Sequence, residues 1–118
     1  MKASLISLCV FLILVILIIV NVIYIKNITS DFTKRIESLT PYDLSTCEEI
    51  YSDWSKNHFF ICLSVSHDKT DKIEEAFLVT LEKIRHKDSE GFYENKVLLL
   101  NYIEEIKRLQ MLTLDTVF

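Results

Sequence analysis

Residues Leu5 to Ile25, LISLCVFLILVILIIVNVIYI, are 21 consecutive positions without a charge, and only Ser7, Asn21 and Tyr24 carry strongly polar groups. At 1.5 Å per residue the run makes a helix of about 31 Å, close to the ~30 Å hydrocarbon thickness of a bilayer. A helix in a globular core would be shorter and would show a polar stripe. The run therefore reads as a membrane span.

Met1 and Lys2 make a minimal basic region before the run, as in a signal sequence, but no small-residue cleavage site follows. The expectation is an uncleaved signal-anchor. The positive-inside rule taken alone, with Lys2 before the span and Lys26, Lys34 and Arg35 after it, slightly favours a cytoplasmic C-terminal part. The signal-like layout favours the reverse.

With the span set aside, the remainder is amphipathic, and the mean hydropathy of +0.26 is owed largely to the span. All 17 acidic residues lie after residue 25 with 12 of the 13 basic ones, which leaves that part at −5. Nucleic acid demands a basic footprint, so it is not an expected partner, and the acidic balance also argues against flat adhesion of this part to anionic headgroups. Gly91 and Pro41 are the only glycine and the only proline. Hairpin turns need residues at φ > 0, so the scarcity favours helices over sheets. One glycine also rules out Gly-rich phosphate loops and nucleophile elbows.

The pattern predicts an all-α protein with three regions: an anchor over 1–26, a helical stalk over 27–40 and an antiparallel three-helix bundle over 41–118. The stalk keeps a helical period through Phe32, Ile36 and Leu39. Thr40-Pro41 is expected to stop it and open the next helix, with threonine as N-cap. That helix, about Pro41 to Val65, carries Cys47, Tyr51, Trp54, His58, Ile61 and Val65 at alternating steps of four and three. Asp71 and Glu74 have the spacing of a capping box for a third helix bearing Ile73, Phe77, Leu81 and Ile84. A turn at His86–Ser89 precedes a fourth with Phe92, Leu99, Ile103, Ile106 and Leu109. Met111 to Phe118 are apolar again and are expected to dock on the bundle. Cys47 and Cys62, about 22 Å apart on one helix, cannot bridge each other and read as free thiols or intermolecular partners, while Cys9 lies in the span.

No catalytic constellation stands out. Ser64 and Ser66 beside His67 lack an oxyanion loop, there is no Cys-x-x-Cys or His-Glu-x-x-His, and Glu82 with His86 lacks the second pair a di-iron bundle needs. The chain reads as non-enzymatic and without a cofactor. The one metal-like constellation is His67, Asp68, Asp71 and Glu74, which a divalent cation could bridge; acidic groups also collect at a helix N-terminus for electrostatic reasons. Surplus hydrophobicity is the stronger signal. Phe59–Leu63, Ala76–Val79 and Val97–Leu100 are apolar all round their helices, so some of these residues face either the tight middle of the bundle or a protein or membrane partner. Trp54, Phe59, Phe60, Leu63, Leu98 and Phe118 are the candidate contact residues. Self-association through the span or the bundle is a further possibility.

Trp54, the segment His67-Asp68-Lys69-Thr70-Asp71-Lys72-Ile73-Glu74 and the apolar ending Leu112 to Phe118 follow the N-terminal span in a pattern that resembles DUF4363, a family of small single-span bacterial membrane proteins. The resemblance implies a signal-anchor at the cell membrane with the bundle outside the cytoplasm. It supplies no activity, because the family has none assigned. The ending here, Asp115-Thr116-Val117-Phe118, departs from the asparagine-isoleucine-phenylalanine ending of the family. The function expected is that of a membrane-anchored helical interaction or accessory protein, with a metal- or ligand-binding module as the alternative.

Overall fold

A computed structural model describes residues 2–63 and 65–117, with side chains placed as far as Leu112. Four helices account for nearly all of it: α1 (Lys2–Glu37), α2 (Leu44–Cys62), α3 (His67–Arg85) and α4 (Ser89–Val117). No strand occurs among the described residues. The all-α bundle is as expected.

The bundle has four walls, because the stalk is one of them. Along α1 the buried positions are Val22, Ile25, Thr29, Phe32 and Ile36, spaced three, four, three and four apart. That stripe is the seam of a packed helix, so the segment after the span lies against α2 and α4, the bundle packing on the stalk as expected. α3 packs on α2 and α4 in turn, so the helices follow one another round a square. The one polar side chain in the α1 seam, Thr29, donates its hydroxyl to the Ile25 carbonyl at 2.7 Å, which satisfies it where water cannot reach. Before Val22 the same helix is almost wholly exposed, from Leu5 through Val20. It is long and apolar enough to cross a membrane. The protruding half gives the molecule its length, 68 Å against 23 and 22 Å across.

The expected stripes of the other helices face the core. Cys47, Trp54 and Ile61 are buried on α2, with Tyr51 and His58 at its edge; Ile73, Phe77, Leu81 and Ile84 are buried on α3; Phe92, Leu99, Ile103 and Ile106 are buried on α4. Burial, with Glu48 alongside, pushes the Cys47 thiol up to about 11, so it stays a neutral core group. Cys9, Cys47 and Cys62 are all free thiols.

The ends of the helices differ from the sequence expectation. Thr40 does not cap α2; Asp43 occupies the N-cap position, and Pro41 lies in a turn closed by the Asp43 amide donating to the Thr40 carbonyl at 3.2 Å. The Asp43 carboxylate turns back to accept from the Thr40 amide and hydroxyl, which ties this corner. Asp71 and Glu74 form no capping box, since α3 starts four residues earlier, with extended Ser66 before it. At the α3–α4 corner Lys87 adopts φ 57°, while the Asp88 amide donates to the Lys83 carbonyl and the Lys87 amide to the Ile84 carbonyl. This is a Schellman ending in which a lysine holds the left-handed position glycine usually takes. The single glycine, Gly91, serves the next element. Its amide donates to Asp88 Oδ1 at 2.9 Å, and a Cβ there would come within 2.5 Å of the other oxygen of that carboxylate. Gly91 thus leaves room for the aspartate that caps α4, and the bond it donates, with help from Lys83, holds the Asp88 carboxyl below its usual range.

Candidate functional site

Two places on the bundle gather groups that its packing does not require. The first is on the outer edge of the α2–α3 pair. Folding α3 back along α2 sets His58 opposite Asp71 and Glu74, and one ligand atom from each of the three lies within 4.8 Å of the others. Cys62, one turn beyond His58, places its sulfur 3.4 Å from His58 Nε2 and 3.6 Å from Thr70 Oγ1. Tyr51, two turns before His58, donates its hydroxyl to Glu74 Oε1 at 3.1 Å. Burial, then the bond and charge of Glu74, raises the Tyr51 hydroxyl above its ordinary value, so it remains a donor at neutral pH. Among the described residues neither Asp71 nor Glu74 has an ion-pair partner.

Two carboxylates and an imidazole make a nitrogen–oxygen donor set suited to a divalent transition metal, with Tyr51 orienting one carboxylate from outside. Of the four residues singled out in the sequence, the structure brings Asp71 and Glu74 into this group. His67 and Asp68 stand exposed in the first turn of α3, outside it. His58 supplies the imidazole instead. The signal was available: a helical hairpin whose arms end at Cys62 and begin again at His67 sets His58 against Asp71.

The second place is the apolar surface. Trp54 is not part of it. At 1% exposure it is wedged between Phe32, at 5.4 Å between ring centroids, and Phe77, at 6.0 Å, and is a core residue. Its seven-residue spacing from both Cys47 and Ile61 puts it on the inner seam, where no partner can reach it. Phe59, Phe60 and Leu63 are by contrast 67%, 54% and 68% exposed, because of that block only Ile61 is buried and Cys62 half-buried. Leu98 and Val97 are exposed on α4, and Leu98 borders a shallow groove of about 130 Å³ that Ala76 and Val79 line from α3. A larger groove, about 580 Å³, runs between the end of α2 and α1, lined by Leu17, Val20, Asn21, Tyr24, Asn57, Phe60 and Leu63. Tyr24 closes its upper end, donating to Asn57 Oδ1 at 2.7 Å and meeting the Phe60 ring edge-on at 6.3 Å. Phe118 lies outside the described residues.

No protein-family model, no curated protein and no solved structure matches the chain.

Proposed function

We propose that this protein is a non-catalytic accessory subunit, held to the cell membrane by the first half of α1 and presenting its helical bundle to a membrane or envelope protein. The orientation we favour, bundle outside the cytoplasm of a bacterial cell, follows from the DUF4363 resemblance and the signal-like start. The observation that carries the reading is exposed Leu98 at the α3–α4 groove, with Lys72 and Glu75 at its rim. Apolar groups ringed by polar ones, on a wall clear of the anchor, have the anatomy of a protein contact. Mechanistically, the anchor and the rigid four-helix body would set that wall at a fixed height and facing, so binding needs little further ordering.

The test places a photo-crosslinking side chain at Leu98 or, as control, at exposed Glu49 of the intact protein in its native membranes. A discrete product at Leu98 and none at Glu49 is expected, whether the captured chain is another protein or a second copy. Leu98→Lys should abolish co-purification of that chain while leaving the melting temperature within a degree or two, as for most surface changes. Equal products at both positions, or none at either, would count against an interaction wall on α3–α4.

A second reading is favoured by the meeting of His58, Asp71 and Glu74, which would let a cation clamp α2 to α3. Binding to the folded form raises its melting midpoint with the logarithm of free ligand above the dissociation constant. Titrating zinc or manganese into the detergent-solubilised protein should raise the midpoint, and His58→Ala should remove the rise. A flat response in the unaltered protein rejects this reading.

A further inference from the structure

We infer that the lower end of the bundle is itself seated in the membrane interface, the ends of α2 and α4 forming an apolar collar round α1 whose occupant is lipid. This rests on reading the first half of α1 as a span, which supplies a scale of height.

The contacts between helices give the rest of that scale. α2 descends antiparallel to α1, with Trp54 at the level of Phe32 and Phe60 at the level of Tyr24. Leu63, further down, shares a groove with Leu17 and Val20. The end of α2 therefore lies beside residues 17–24, inside the uncharged run that ends at Ile25. α4 descends on the other side of α1. Its Lys96 ammonium donates to the Glu37 and Leu39 carbonyls at 2.8 and 3.0 Å, which sets the upper level. Fifteen residues further, about 22 Å down, comes Met111, and the same fall along α1 arrives at Ile23. Met111 and Leu112 are exposed there, as Phe59, Phe60 and Leu63 are at the end of α2.

Five large apolar side chains thus face outward within one band of height, and the band coincides with the top of the span. The corners at the opposite end are built mainly from polar residues, Ser38, Thr40 and Asp43 and Lys87, Asp88 and Ser89, with Tyr42 the exposed aromatic between Thr40 and Asp43. Charge shows the same layering. Lys26, Lys56, Lys107 and Arg108 each stand about one turn above the apolar residue of their own helix at the collar, where lipid phosphates would lie and long side chains can reach them. On the fourth corner the first turn of α3 is polar, Ser66 to Asp68, so the collar is made by α1, α2 and α4 and faces headgroups at α3. The 580 Å³ groove between α1 and the end of α2 opens within this band, with walls of Leu17, Val20, Phe60 and Leu63 that suit an acyl chain.

The experiment uses the full chain with its three cysteines replaced by serine or alanine, and an environment-sensitive fluorophore on one new cysteine at a time. Positions 60, 63 and 112 probe the collar, position 13 the span, and position 82 the far part of α3. The labelled proteins are reconstituted in phosphatidylcholine–phosphatidylglycerol vesicles carrying lipids spin-labelled high on the acyl chain. Buried Trp54, the sole tryptophan, reports by unchanged emission that each variant is folded. Quenching at 60, 63 and 112 comparable to that at 13, with none at 82, is the result expected. Quenching at 13 with 60, 63 and 112 as unaffected as 82 would overturn the collar and leave the anchor standing. Blue-shifted but unquenched emission at the collar positions would also overturn it, because protein rather than lipid would then cover them. Absence of quenching at 13 would remove the span and the collar together.

Discussion

Trp54→Ala should cost about 3–5 kcal/mol of folding stability, the range for deleting a large aromatic from a packed core. The indole lies at the centre of the bundle, joining Phe32 of α1 to Phe77 of α3 from its place on α2, so its loss loosens three helices at once. Small domains hold only about 5–15 kcal/mol in total, so the variant should be close to unfolding at ambient temperature. Trp54→Phe should be much milder. The indole Nε1 is buried and finds no acceptor among the described residues, so the substitution removes a donor whose desolvation costs about 1–3 kcal/mol, partly offsetting the lost volume. Denaturant titration of the detergent-solubilised protein, followed by far-ultraviolet circular dichroism, checks both. A loss near 0.5 kcal/mol for Trp54→Ala, typical of a surface change, would mean that Trp54 is not at the centre of the core.

The second large effect concerns the other half of α1. Ile13→Arg with Ile16→Arg puts two guanidinium groups at the middle of the apolar run, each costing about 2.5–3.5 kcal/mol on insertion scales. Together that is about 5–7 kcal/mol, enough to shift most of the chain out of a membrane that a single helix holds. The bundle should not notice, because both positions are exposed and touch none of the core that begins at Val22. The expected result in a cell-free synthesis with added membranes is loss of integration with unchanged Trp54 emission. Integration equal to that of the unaltered chain would contradict the anchor, and altered Trp54 emission would contradict the division of α1 into an anchoring and a packing half.

That division shows what could be read from residue order and what could not. The spacing of Phe32, Ile36 and Leu39 announced a helix with a face for the bundle, but not how far that face reaches; the same stripe runs back through Thr29 and Ile25 to Val22, hidden by the apolar run it shares. The stripes of α3 and α4 were legible because burial there follows helical period closely. Corners were less so. Lys87 turns through the left-handed region with nothing in its chemistry to advertise it, and Asp71–Glu74 matched a capping pattern while lying a full turn inside α3. Capping patterns are local, and where a helix starts is decided by how far its neighbour extends. The cluster at His58 depends on pairing across the α2–α3 turn, and the spacing of residues along one helix carries no record of that pairing. For the apolar blocks, composition left burial and surplus undivided, and only three dimensions show Ile61 buried, Phe60 and Leu63 exposed at the foot of the bundle and Leu98 exposed on its wall.

The most direct test of the central claim is alkaline carbonate extraction of membranes from cells making the intact protein, with flotation of the residue on a density gradient. Retention in the floating membrane fraction, like an integral protein, is the result predicted by a span over residues 5–25. Release into the supernatant would contradict the anchor, and with it the fixed height from which the bundle meets a partner.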